Sequence, residues 1–228
     1  MEGNFVFVLL ELILINVVLS GDNAVVIALA SRNLPAEQQK KAVFWGSMGA
    51  IGLRIVLTFA AVWLLRIPFV QALGGLLLLF IAVKLLKQEE ETENIQSSSR
   101  LSGAVKTIIV ADLVMSLDNV LAMAGAAGGN LLLIVIGLAI SIPLIIWASQ
   151  LLMRLMKRFP IIVVLGAALL GYTAGEMILD DKGVSAFIES TLPWTNHLLP
   201  IVLAIAVVAV GHLINRTHNK RADAKAAR

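Results

Sequence analysis

The sequence predicts an all-α polytopic membrane protein of seven transmembrane helices, built as two inverted three-helix repeats plus a seventh helix. Three observations carry this: an apolar composition, a series of apolar runs of spanning length, and an internal repeat. Of 228 residues, 59% are hydrophobic and 14% charged, with a mean hydropathy of +0.91; soluble domains run at about 45–50% and about 25%. The apolar share amounts to about 135 residues, and at ~20 residues per span six or seven helices absorb it. A cytosolic enzyme with a single core is excluded. The absence of cysteine excludes a disulfide scaffold, a thiolate zinc site and an iron–sulfur cluster. His197, His212 and His218 are too few and too peripheral for an imidazole metal site.

The apolar runs place helices near 5–31, 42–64, 69–87, 104–126, 130–153, 159–179 and 198–215. The first opens Met1-Glu2-Gly3-Asn4, without a basic leader, and is longer than the ~7–15-residue core of a signal peptide, so it reads as a retained span. Gly46, Gly49 and Gly52 leave a packing groove on the second helix, as do Gly125, Gly128 and Gly129 after the fourth. The organisation is then a first repeat over 1–87, a linker over 88–103, a second repeat over 104–179, an extracytoplasmic loop over 180–197, the seventh helix over 198–215 and a basic tail over 216–228. The linker is polar and anionic with no apolar face, and reads as flexible. Phe187, Ile188 and Trp194 suggest that the loop rests in the membrane interface.

Cationic residues separate by side. Arg32, Lys40, Lys41, Lys84, Lys87, Arg100, Lys106, Arg154, Lys157, Arg158, Arg216, Lys220, Arg221, Lys225 and Arg228 fall at one side, and only Arg66 and Lys182 at the other. Positive charge stays in the cytoplasm, which puts the N-terminus outside and the C-terminus inside. The net charge of +3 and pI near 9.4 therefore report topology, and no nucleic-acid partner is expected.

The repeat rests on two ordered matches. Leu19-Ser20-Gly21-Asp22-Asn23-Ala24 is echoed by Met115-Ser116-Leu117-Asp118-Asn119-Val120, and Arg66-Ile67-Pro68 with Leu73-Gly74-Gly75 by Arg158-Phe159-Pro160 with Leu165-Gly166-Ala167. An odd number of spans per half inverts one half against the other, the plan of secondary transporters whose substrate site lies at the repeat interface.

Asp22 and Asp118 lie within apolar runs, where a lone charge costs ~2.5–3.5 kcal/mol on insertion scales and so marks a partner or a water-filled cavity. Each follows Ser and precedes Asn, and small polar residues loosen the helical ladder. Two such units facing each other make an oxygen cage suited to a hard divalent cation. Two empty carboxylates repel, so one tends to keep a proton, which offers a route to proton exchange. The plainer alternative is that these polar groups only bond helices together. Asp112 and its counterpart Asn16 stand six residues before each motif Asp; Asn16, Ser20 and Asn23 share one helix face, as do Asp112, Ser116 and Asn119. Asp112 is a candidate ligand or proton carrier, or else a partner of Lys106, Lys84 or Arg54. Arg54, the lone charge in the middle of the second helix, balances the carboxylates or snorkels. Glu11, Glu176 and Met115 are further candidates for the pathway or site, each with a bland reading as an interfacial, snorkelling or packing residue.

At Gly21-Asp22-Asn23-Ala24-Val25 and Ser116-Leu117-Asp118-Asn119-Val120 the chain resembles the TerC family, within the LysE-like exporter group, and the likeness extends over roughly residues 5–215. It is similar to the compact bacterial members, which implies a multi-pass protein of the bacterial inner membrane. The resemblance implies manganese export, with Asp22, Asn23, Asp118 and Asn119 as metal ligands and Asp112 joining them. It implies Mn2+ as transported substrate, no prosthetic group and no enzyme activity. The bilayer and a divalent metal ion are the expected partners, and a homodimer is left open. Competing readings are export of Ca2+ or a small amino acid, and an intramembrane aspartyl protease. The amino-acid reading lacks a suitable cationic site beyond Arg54. The protease reading lacks the first glycine of the Gly-x-Gly-Asp pattern at Leu19-Ser20-Gly21-Asp22.

Overall fold

The computed structural model describes residues 10, 13–14, 20–64, 67–87, 97–126, 131–185 and 195–226. Among the described residues there is no strand, and the chain runs as α1 (Gly21–Ser31), α2 (Ala36–Leu64), α3 (Val70–Leu86), α4 (Ser97–Ala126), α5 (Leu131–Arg158), α6 (Ile161–Asp180) and α7 (Thr195–Ala226). Leu132–Arg158, Ile161–Asp180 and Leu198–Arg216 are long and apolar enough to cross a membrane, while α1 and α3 are shorter apolar helices. The outer surface matches that reading. Trp45, Val56, Leu73, Phe80, Trp147, Ile205 and Leu213 are each at least 60% exposed, a density of bare apolar groups that suits lipid rather than water.

Four helices extend past their apolar runs, α5 by its last turn to Arg158. α2 starts at Ala36 rather than 42, because the Pro35 carbonyl accepts from the Gln39 N–H at 2.9 Å and Glu37 favours the positive first turn. α4 starts at Ser97, so the last part of the stretch expected to be a flexible linker is helical. Leu101, Ala104 and Val105 there pack on Leu34 and Ala42, a short apolar stripe that the serines around it conceal in a hydropathy average. α7 continues through the basic segment to Ala226, where alanine, lysine and arginine are good helix formers. Residues 88–96 of the linker, residues 186–194 of the loop with Phe187, Ile188 and Trp194, and Gly128 and Gly129 lie outside the described residues.

Backbone close approach organises the bundle. A Cβ on Gly46 or Gly49 of α2 would lie 2.7 and 2.5 Å from the Ile108 and Ile109 side chains of α4, as the expected groove requires, whereas one on Gly52 would meet open space. On α3, a Cβ at Gly75 would sit 2.6 Å from the Ala174 carbonyl of α6, and on α6 one at Gly175 would sit 2.5 Å from Pro200 Cα of α7. These are backbone contacts that no rotamer change relieves. Around them a single apolar core joins residues from all the described helices, with Leu78, Ile108 and Leu170 almost wholly buried.

Asp181, just past the end of α6, locks this arrangement. Its Oδ1 accepts from the Phe69 and Gly183 N–H groups at 2.9 and 2.8 Å, and its Oδ2 from those of Gln71 and Ala72 at 3.0 and 3.2 Å. Three of these donors belong to the start of α3, whose free N–H groups and positive end favour an anion. Burial alone would raise the Asp181 carboxyl, but the four backbone donors outweigh it and hold the group below its ordinary value.

Candidate functional site

α1 begins at Gly21 with Ser20 as its N-cap, at φ −105° and ψ 5° and without a side-chain cap bond. Asp22 therefore falls in the first turn, where backbone N–H groups lack helical partners. Its Oδ1 accepts from the Asn23 N–H at 2.8 Å, so the carboxylate satisfies the helix end from within. Asn23, one residue on, is 2% exposed, and neither its Nδ2 nor its Oδ1 has a partner in the protein.

The second motif stands in a different setting. Ser116, Asp118 and Asn119 lie within the unbroken α4. Ser116 and Asp112, one turn apart, are both buried, and Ser116 Oγ donates to Asp112 Oδ2 at 3.1 Å. Asn119 is half-buried. The side chain of Asp118 lies outside the described residues, as do Asn16 and Glu11.

Arg54 of α2 joins the two segments. It is 2% exposed; its Nη2 meets Asp112 Oδ1 at 2.7 Å, its Nε donates to Ser116 Oγ at 2.9 Å and its Nη1 to Ser20 Oγ at 3.4 Å. Both Arg54 and Asp112 act on Asp22 electrostatically. Arg54 thus does not snorkel, and of the three partners considered for Asp112 it is the one that pairs. A buried guanidinium and carboxylate hold each other in a medium where either alone would cost several kcal/mol, on the order of the penalty for an uncompensated buried ion.

Other candidates stand apart from this centre. Met115 is packed in the main apolar core. Glu176 is exposed on α6; Gly171 and Gly175 of the same helix seat α6 on Ala204 and Pro200 of α7. Among the described residues no three His, Cys, Asp or Glu side chains gather as a metal cluster. Sequence reasoning missed Asp181, whose one signal is an Asp pair ahead of Lys182-Gly183 where an apolar run ends. It also missed the buried serines Ser31 and Ser47, which composition alone does not distinguish from packing residues.

A lipid-facing apolar bundle with a charged and amide-bearing centre defines an integral membrane protein with an intramembrane polar site. The chain belongs to the TerC family of integral membrane proteins, whose pattern matches residues 1–220. It is similar to the membrane protein YjbE of Bacillus subtilis, with 46% identity over 208 residues, covering 91% of this chain and 95% of YjbE. YkoY of the same bacterium is 30% identical over 227 residues, 88% of this chain and 70% of its own length. YegH of Escherichia coli is 29% identical over 195 residues, but the match covers 37% of that longer protein. No solved structure matches the chain.

Proposed function

We propose that this protein is a secondary transporter that exports divalent metal cations, with manganese as substrate, across the bacterial inner membrane. The observation that carries the reading is Asn23, whose amide is buried beside Asp22 with both polar atoms unpartnered. An oxygen donor kept bare next to a carboxylate is what a hard cation needs. Asp22, Asn23, Asp118 and Asn119 hold the ion, and Asp112 serves as the anion that keeps Arg54 in place. Manganese is chosen through the resemblance to TerC exporters; the donor set by itself selects only a hard or borderline divalent cation.

In this reading the seven helices all span, as two inverted three-helix repeats with the N-terminus outside and the C-terminus in the cytoplasm. The packing supports the pseudo-symmetry. If α1, α2 and α3 correspond to α4, α5 and α6, then α2 against α4 has its counterpart in α5 against α1, and α3 against α4 in α6 against α1; all four pairs are in contact. Proteoliposomes loaded with manganese, calcium, zinc or magnesium, with and without a proton gradient, test the proposal. Manganese should move, and faster against a proton gradient. Zinc flux without manganese flux would overturn the oxygen-cage reading.

A further inference from the structure

We infer that a hydrated passage runs between α1 and the first half of α2, from the cytoplasmic ends of these helices to the site, and admits the cation there. Its orientation and cargo rest on the transport reading above. Among the described residues, the buried side-chain polar atoms without a partner in the protein are Asn23 Nδ2 and Oδ1, Ser31 Oγ, Arg32 Nη1, Gln38 Oε1 and Ser47 Oγ. All belong to α1, to the first half of α2 or to the turn between them. Asn23, Ser31 and Ser47 are 2%, 0% and 2% exposed.

A buried hydroxyl or amide left unpaired costs about 1–3 kcal/mol, so several in one region call for a common partner. Buried serines elsewhere solve the problem locally. Ser141 Oγ donates to the Gly137 carbonyl at 2.8 Å and Ser149 Oγ to that of Ile146 at 2.9 Å, the back-bond open to any helical serine. Ser31 and Ser47 have the same option and do not take it. Water is the partner that fits a polar row of this kind, and since these atoms touch no solvent in the closed packing seen here, it enters as α1 and α2 part.

The depths form a ladder. Ser20 and Arg54 meet at the site, and both α1 followed forward and α2 followed backward lead to the short connection at 32–35. At 1.5 Å per residue, Asn23 stands ~4.5 Å from Ser20, Ser47 ~10.5 Å from Arg54 and Ser31 ~16.5 Å from Ser20, all in that direction. Gln38 and Arg32 complete the ladder at its cytoplasmic end. Steps of ~6 Å are bridged by one or two hydrogen-bonded waters. Ser47 is seven residues from Arg54, two turns along the same buried face of α2. Apart from the Arg32 guanidinium at the mouth, the rungs are neutral hydroxyls and amides, which solvate a cation without trapping it.

The absence of native cysteine makes single-cysteine labelling clean. Ser31→Cys and Ser47→Cys, nearly isosteric, are placed in the full chain and exposed in inside-out membrane vesicles to a membrane-impermeant, charged thiol reagent. Ser141→Cys and Ser149→Cys, equally buried, are the controls. Positions 31 and 47 should react about tenfold faster or more than 141 and 149, since reactivity follows access and thiolate solvation. Labelling at 31 and 47 no faster than at the controls, in protein of normal abundance, overturns the passage; if one variant fails to accumulate, the other position decides. Labelling in a protein that moves no metal supports the passage and separately refutes its cargo. Absent labelling with metal flux that still depends on Asp22 refutes the passage and leaves the site standing.

Discussion

The segments around Asp22 and Asp118 are spelled almost alike, yet one begins a helix and the other lies within one. At the first, Gly21 opens α1 and Asp22 turns back onto the N–H of Asn23. At the second, Leu117 takes the place of Gly21, is buried against Leu57, and α4 continues without a break. The flanks differ too, since Asp112 replaces Asn16 and draws in Arg54. A buried leucine in place of an open glycine and one ion pair therefore separate two copies of a motif that look symmetric on paper. The glycine copy presents an unpaired amide; the leucine copy presents a neutralised ion pair.

Removing the carboxylates that the two motifs share should have the largest effect. Asp22→Asn and Asp118→Asn should each abolish manganese export, a loss larger than the ~10–100-fold typical of an outer-shell metal partner. Protein level should stay unchanged, because an amide is cheaper to insert than an ionised acid. Cells carrying either variant should accumulate manganese and become sensitive to it, while Asp112→Asn is milder. Export like wild type from either motif variant would make the paired aspartates structural.

Arg54→Ala tests the charge that links the copies. It leaves Asp112 buried and unpaired and should lower stability in detergent by about 3–5 kcal/mol. The double variant with Asp112→Asn should recover most of that loss, and a denaturation cycle over the four proteins reads the coupling directly. Equal instability of the single and double variants would mean that the pair is incidental.

A third test contrasts two helix starts. α1 satisfies its own with Asp22, whereas α3 borrows Asp181 from the end of α6. Asp181→Ala should cost about 2 kcal/mol, since hydrogen bonds to a charged acceptor are lost. Because the folded carboxyl is held below its ordinary value of 3.8, its contribution is complete above that pH and fades as the pH falls through the lower folded value. Melting followed from neutral pH into strong acid should show this loss in the wild type and less of it in Asp181→Asn. The smallest effect belongs to Gly21→Ala: a Cβ there meets nothing within 4 Å, so stability should change by no more than about 0.5 kcal/mol. A larger change would show that the start of α1 depends on glycine itself.

Much of this was legible in order along the chain. The apolar runs located the helices because burial in lipid dominates their composition, and the Asp-Asn motifs and Arg54 stood out as charges where charge is costly. Helix ends were harder to read, because the start of α4 packs through the narrow stripe of Leu101, Ala104 and Val105 and the basic end of α7 is stabilised by propensity. Asp181 was invisible for a different reason: three of its four partners lie 109–112 residues away, backbone N–H groups at the start of α3 that no side-chain pattern announces. Glu176 stays exposed on α6 while Gly171 and Gly175 receive α7, because a one-dimensional spacing does not say which neighbour fills a groove.

The pairing of Arg54 with Asp112 also has a consequence for biogenesis. The arginine leaves the ribosome 58 residues before its anion, an interval of about 3–12 s at 5–20 residues per second. On the proposed seven-span topology, α2 enters the membrane through that interval with its central guanidinium still lacking this anion, at a cost of ~2.5–3.5 kcal/mol. On that topology α2 is the costly helix to insert, and the emergence of α4 supplies the counter-ion that its arginine meets in the folded protein.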